Sequence, residues 1–440
     1  MAIALKGSEE LYLKDFRELE NRQSATAPAW LRKLRNEGMQ AFAELGFPTT
    51  RLEDWKYCNV APIAGLRFRP APYELDGSIR ERVEEISFSG LDGTRLVFVN
   101  GHYVEELSTA GELPKGVKVT NLSKAAEREE SVAERLGRYA DFKAHPFVAL
   151  NTAFMEDGAF IEVPKGVVVE SPIEVLYVST GNEEPWVAHP RNLVVASQGS
   201  QVALVETYIG LGNGGVYFNN PVTEIVAEDN AHVDYVKLQN ENEAAFHVAT
   251  VQVYAGRNAV ARTNSIQLGA RLGREELTTV LDGEGAEALL YGLYVTNGQQ
   301  LIDNHTTIDH AQPHCSSREF YKGILDGKST GVFNGKIMVR KDAQKTDSKQ
   351  SDKNLLLSES ATINTKPQLE IFADDVKCTH GATVGQIDPE SVFYLRSRGI
   401  GLEEARNLLI VAFAGEIVHH VKVGPFQRQL KGALLAKMKR

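Results

Sequence analysis

Two groups of side chains in this 440-residue chain have the types and spacing to do chemistry. The first is Cys378 and His380, in the stretch LEIFADDVKCTHGATVG. Leu369, Ile371 and Val376 among polar neighbours read as a strand, and strand periodicity aims residues two apart at one face. A thiol and an imidazole so placed could form a reactive or metal-binding pair, or equally a packed cysteine beside a hydrogen-bonded histidine. The second group is His305, His310, His314 and Cys315. Its spacing matches no standard structural zinc site, where Cys or His come in pairs at short fixed intervals. On a strand His305 and His310 would face opposite sides, whereas His310 and His314 could share one. His310, His314 and Cys315 therefore stand as secondary metal-ligand candidates.

Two glycine-rich stretches imitate nucleotide sites without their context. Gly210 to Gly215 fits G-x-G-x-x-G, but the strand pattern VYFNNPVTEIV follows, so no helix N-terminus is offered to a pyrophosphate. Gly327-Lys328-Ser329 ends like a P-loop, yet the first glycine of that motif would fall on Lys322; a tight turn between strands is the better reading. No G-x-S-x-G elbow or H-E-x-x-H helix occurs, so no motif supports an enzyme.

The elements that must carry these residues change character along the chain. Ser8 can cap a helix bearing Leu11, Leu13, Phe16 and Leu19, and a second helix should start at Pro28 and end at Gly46 and Pro48. Cys58 in the aromatic stretch after Pro48 reads as a small packed residue. TRLVFVNGHYVEEL is two apolar runs joined by Asn100-Gly101, a strong hairpin signal, with His102 as a solvated flank. Ser123 to Tyr139 reads as a charged, covering helix. From Gly158 to about Gly385, short β-branched runs alternate with turns at Gln198-Gly199, Glu228 to Asn230, Gly256 to Asn258, Asp282-Gly283 and Asp326-Gly327. Recurrent strand–turn–strand units of this kind are the signature of a solenoid, since one coil cannot bury its own apolar face. A β-helix is expected, ahead of a β-sandwich. A helix then opens at Asp388-Pro389, and Leu402 to His420 forms another, apolar around most of its circumference between Leu408 and Phe413, so it must pack between elements or against a partner.

Composition bounds the partners. Lys and Arg number 48 against 58 Asp and Glu, a net charge of -10, and no basic block is interleaved with aromatics, which argues against nucleic acid. Mean hydropathy is -0.25. The longest strongly apolar run, Leu408 to Ala414, is far short of the roughly 20 residues of a membrane span. No signal-peptide core or transit pattern is visible, and three scattered cysteines make no disulfide framework. A soluble, cytoplasmic chain is expected.

Read together, PHCSSREFYKGILDGKSTGVFNGKIMV (Pro313–Val339), AQKTDSKQSDKNLLLS (Ala343–Ser358), KPQLEIFADDVKCTHGATVG and FYLRSRGI resemble the SufB/SufD family of iron–sulfur cluster assembly scaffold proteins. The EDWKY segment near Trp55 fits less specifically. The resemblance implies a right-handed parallel β-helix core (residues 146–387) between an N-terminal helical or mixed domain (1–145) and a C-terminal helical domain (388–440). SufB-like chains carry a cysteine at the position of Leu395 and a glutamate-containing variant of His380 to Gly385, so this chain resembles the SufD branch. That implies a non-enzymatic scaffold subunit, pairing with SufB through the β-helix and engaging the ABC-type ATPase SufC through the C-terminal helices. Tyr394, Arg396, Arg398, Leu408 and Phe413 become candidate contacts with partners. The family's C-x-H-G histidine, His380 here, is implied to lie at the SufB–SufD interface and to act in forming a transient iron–sulfur cluster, with Cys378 a lesser candidate beside it. One His and one Cys cannot complete the usual four-ligand set, so no stably held cofactor is expected on this chain alone. Two alternatives are a β-helix carbohydrate-active enzyme, which needs acidic groups converging on an exposed cleft, and a metal-binding homodimer using His310, His314 and Cys315. An isolated chain could also homodimerise through the face meant for SufB.

Overall fold

A computed structural model describes residues 6–23, 27–86, 93–181, 184–211 and 214–438 of the chain. Its N-terminal part begins with helices Lys6–Gln23 and Ala29–Leu45. Ser8 lies inside the first rather than capping it. The second is bounded as its punctuation dictates: Pro28 is its N-cap, and Gly46, at φ 61°, returns its N–H to the Phe42 carbonyl. Its face of Leu31, Met39 and Phe42 is buried, and Phe42 shares one apolar cluster with Phe147 and Leu150 of helix Pro146–Phe154. The hairpin Arg95–Val99 with His102–Tyr103 turns at Asn100 and Gly101 (φ 51° and 81°), both left-handed as a type I′ turn requires. His102 is not a solvated flank: it is half-buried, and its Nε2 lies 2.9 Å from the Ala71 carbonyl. The helix expected over Ser123 to Tyr139 is two pieces, Leu122–Arg128 and Glu130–Arg135. Glu129 takes an extended conformation between them (φ −108°, ψ 114°) and reaches Lys118.

From Ala159 to Gly385 the chain winds as a β-solenoid, each coil giving one strand to each of two facing, largely parallel sheets. One sheet runs inward from the outer strand Thr362–Ile371 through Thr330–Val339, Leu301–His310 and Leu272–Leu281; the other from Lys377–Gly385 through Asp347–Leu356, Ser316–Leu325 and Glu287–Thr296. Along the second sheet Val260 pairs with Glu287, Glu287 with Ser316, Ser316 with Asp347 and Asp347 with Lys377, steps of 27, 29, 31 and 30 residues. Inward residues of both sheets form the core, with Phe98, Tyr177 and Tyr208 stacked at 4.8 Å intervals.

One corner repeats in conformation as well as period. Gly199, Asn230, Asn258, Gly285, His314 and Lys345 all have positive φ. The N–H of each donates to a carbonyl one coil further on: Asp229, Arg257, Glu284, Pro313, Gln344 and Asp375 in turn. Glycine and asparagine enter this left-handed region at low cost, which is why the corner was readable as turns.

The two ends of the solenoid differ. At the first, Arg95–Val99 extends one sheet and Lys118–Asn121 adds antiparallel to Ala159–Val163 in the other, so the N-terminal part closes it. At the last, Lys377–Gly385 is an edge strand, exposed along nearly all its length. Helices Pro389–Ser397, Leu402–Val418 and Gly424–Met438 follow. The second lays Ile410, Ala414, Ile417 and Val418 on Val236, Leu238, Ile266, Leu293 and Ile324 of the solenoid wall. Its near-continuous apolar circumference is thus only partly covered within the chain, and Leu408 remains 47% exposed. Among the described residues no helix is long and apolar enough to cross a membrane.

Candidate functional site

Cys378 and His380 lie on the last strand, Lys377–Gly385, which is paired on one side only, with Asp347–Leu356. Cys378 sits beside Ser348 and His380 beside Gln350. Paired residues of a parallel sheet share a face, and Ser348 and Gln350 are both buried, pointing into the lumen. The expected shared face of Cys378 and His380 is therefore the lumen side of the final coil.

The two groups nevertheless meet different surroundings. Cys378 is half-buried and packs with Val376 and Leu369 against Ile337, Val339, Ala343 and Ala373. Burial pushes its thiol above the ordinary range, more than a bond from the Ser348 backbone N–H pulls it down, so it is held protonated and poorly nucleophilic at neutral pH. His380 is exposed, at the mouth of the lumen and directly over the Gln350 rung. This end of the solenoid also leaves large apolar groups in solvent: Phe372 at 63%, Val384 at 49% and Ile371 at 39% exposure. Sequence reading missed these three, because their exposure depends on which coil is last. An uncapped solenoid end carrying apolar groups and unpaired strand backbone is suited to addition of another chain.

The second histidine group does not converge. His310 is fully buried in the lumen, its Nε2 2.9 Å from Ser317 Oγ, and burial pushes its imidazole down to about 4. His314 is a corner residue at φ 60°, its exposed ring 4.0 Å from Glu284. Cys315 is buried and donates its thiol to the Gly283 carbonyl at 3.3 Å. His305 faces the opposite side from His310, as its position predicts, and pairs with Asp303 at 3.0 Å. The shared side suggested for His310 and His314 fails because the strand ends at His310 and the chain then turns the corner. Among the described residues no group of three His, Cys, Asp or Glu side chains is arranged to hold a metal.

The nucleotide-like glycines resolve similarly. Gly327 has φ 65° in the turn between strands Ser316–Leu325 and Thr330–Val339. In the other motif Gly212 and Asn213 lie outside the described residues, and Gly215 is followed by strand Tyr217–Asn219, not a helix. Cys58 is packed as expected, and burial raises its thiol strongly.

The C-terminal candidates divide. Arg398 lies 4.6 Å over the Tyr394 ring, and Tyr394, Arg396 and Arg398 are exposed beside Phe393, which is 73% exposed. Phe413 instead turns inward: the buried Lys322 Nζ lies 4.0 Å from its ring, donates to its carbonyl at 2.8 Å, and pairs with Glu416 at 2.8 Å. Leu408 and the Tyr394 group thus remain exposed on the C-terminal helices, while Phe413 clamps the helix to the solenoid.

The family model "SufBD protein N-terminal region" matches residues 6–175, and "SUF system FeS cluster assembly, SufBD core domain" matches residues 177–413. An iron-sulfur cluster assembly SufBD family protein of Synechocystis is 35% identical over 419 residues, 93% of this chain and 91% of that protein. The iron-sulfur cluster assembly protein SufD of Escherichia coli is 32% identical over 395 residues, 89% of each chain. The SufD of Bacillus subtilis is 30% identical over 448 residues, 98% of each.

Proposed function

The chain belongs to the SufBD family of iron–sulfur cluster assembly proteins, and from that premise we propose that it is a SufD-type scaffold subunit that supplies half of a cluster-building site shared with SufB. The observation that carries this reading is His380, an exposed imidazole on the edge strand of a solenoid end that also leaves Ile371 and Phe372 in solvent. An imidazole nitrogen is a competent iron ligand, and an iron centre needs about four ligands, more than this edge offers. A SufB chain seated against the edge would cover the apolar groups and bring the missing ligands. The nascent cluster is then cargo, bound by His380 with SufB while it forms. Cys378, half-buried and kept protonated, serves as packing beneath it in this scheme.

The exposed side chains of Phe393, Tyr394, Arg398 and Leu408 support a second contact, with the SufC ATPase, on residue types that anchor interfaces. The carbohydrate-enzyme reading has less to draw on: buried carboxylates such as Glu206, Glu275, Glu319 and Asp352 face the closed lumen, not a cleft.

Two measurements test the proposal. Mixed with SufB and SufC, the chain should co-elute as a stable complex, and persistent separation would count against it. His380→Ala should leave fold and complex unchanged while cutting cluster yield, measured as iron and sulfide per complex after anaerobic reconstitution, by about tenfold or more. A normal yield would remove His380 from the site.

A further inference from the structure

The protein buries many charged groups, and nearly all are compensated. Glu275 pairs with Lys237 in the lumen, while Glu224 pairs with Arg191 and Asp303 with Arg274 on outward faces against the N-terminal part; Glu241 accepts from Asn219 and Gln239. Glu206, without a cation, takes hydroxyl bonds from Tyr208, Tyr235 and Thr223. This is the rule for buried charge: it is paired, fully hydrogen-bonded or bound to metal.

Glu319 and Asp352 depart from it. Both are buried, at 2% and 0% exposure, on lumen-facing positions of the adjacent strands Ser316–Leu325 and Asp347–Leu356, and among the described residues neither makes an ion pair. Each has one oxygen satisfied: Glu319 Oε2 accepts from Gln350 Nε2 at 2.7 Å, and Asp352 Oδ2 from Asn354 Nδ2 at 2.6 Å. The other oxygens, Glu319 Oε1 and Asp352 Oδ1, have no partner, and neither does Oε1 of Gln350, itself 3% exposed. Gln350 lies directly beside Glu319 in the ladder, and Asp352 is two residues along the same face from Gln350. Three oxygens without a close partner, two of them carboxylate, thus lie on lumen-facing positions within two rungs of one another. The buried hydroxyls of Thr306 and Thr365, beside Glu319 and Asp352 in turn, border the same stretch.

We propose that Glu319, Asp352 and the Gln350 amide oxygen hold a hard, oxygen-ligated divalent cation in the last closed coils of the solenoid. All-oxygen sets with one or two carboxylates suit manganese, magnesium or calcium, not zinc or copper, which favour nitrogen and sulfur. A cation supplies the positive charge that Lys237 supplies to Glu275 in an earlier coil. It also ties the last two inward-facing rungs together beneath the edge strand. The alternative means of neutralising the pair is protonation: burial pushes Glu319 up to about 7 and Asp352 up to about 6. Proton and metal would compete for the same oxygens.

Mn2+ is the probe. The full-length chain, stripped with chelator, should take up about one Mn2+ at about pH 7.5, read from loss of the free-ion electron paramagnetic resonance signal. Glu319→Gln and Asp352→Asn should each weaken uptake about tenfold or more, and His314→Asn, at a corner away from these rungs, should not change it. Independently of any variant, Mn2+ should raise the unfolding midpoint of the wild-type chain by linkage. Absence of saturable uptake, absence of that rise, or full uptake by the Glu319→Gln, Asp352→Asn double variant would each overturn the site in favour of two protonated acids.

Discussion

Arg191 and Glu224 form an ion pair at 2.7 Å with both side chains at 0% exposure, and Glu224 also accepts the backbone N–H groups of Gly137, Tyr139 and Ala140. One carboxylate thus fastens the chain after Arg135 to the solenoid. Arg191→Met leaves that carboxylate buried without its cation, and should cost about 3–5 kcal/mol in urea unfolding. His189 sets a pH limit. Its Nδ1 accepts from Asn220, whose amide nitrogen also donates to the Phe147 carbonyl, and burial pushes the ring down to about 3. A folded value below the unfolded value of about 6.5 means stability present above pH 6.5 and lost as pH falls, because only the unfolded chain takes up the proton. Between about pH 6.5 and 5 this one ring should cost about 2 kcal/mol. His189→Phe keeps the stacking on Phe154, and its unfolding midpoint should fall less between those pH values than that of wild type; an equal fall would assign the acid sensitivity elsewhere. Residue identity alone revealed none of this, since histidines at 189, 310, 314 and 380 look alike until burial separates them.

At the scale of elements, the solenoid was legible because its corners must be left-handed and its runs β-branched, and both show in residue type at a near-constant period. The short N-terminal pieces were less so. Gly77–Ile86 and Pro146–Phe154 are only 10 and 9 residues long and owe their form to packing. Likewise the break at Glu129 has no glycine or proline to announce it. The shared face of Cys378 and His380 was readable, but Leu369 and Ile371, read as the same strand, belong to Thr362–Ile371, with Val376 in the corner before Lys377–Gly385; nor was the final rung readable, since an edge is defined by the neighbour it lacks. His314 shows how a repeat corrects a motif. It occupies the corner position held by Gly199, Asn230, Asn258 and Gly285 in other coils, with the same backbone bond to the next coil. His314→Asn should therefore match or exceed wild-type stability, by up to about 1 kcal/mol, since asparagine enters the left-handed region more readily. Its metal content should equal that of wild type. A lowered metal content would restore His314 as a ligand.

The whole molecule has one closed end, one open end and one helical flank, and the last two expose separate apolar surfaces. At the open end these are Ile371 and Phe372, on the flank Phe393, Tyr394 and Leu408; Val384 lies between, in a cleft shared with Ser391, Leu409 and Phe413. The flank is fixed to the solenoid wall by Lys322 gripping Phe413 and Glu416, so it is carried rigidly rather than tethered. Two surfaces on one rigid body without shared residues should behave additively. Phe372→Asp with Ile371→Lys should weaken binding to SufB by about tenfold or more while SufC binding stays intact, because a charge set into an apolar contact is left unpaired. Phe393→Asp with Leu408→Glu should do the reverse. Because all four side chains are solvent-exposed, neither pair should move the unfolding midpoint by more than about 1 kcal/mol of stability. Binding titrations of each pair against each partner give a two-by-two comparison. If either pair weakened both partners equally with the fold intact, the two surfaces would be one interface, and the division of labour between solenoid edge and helical flank would fail.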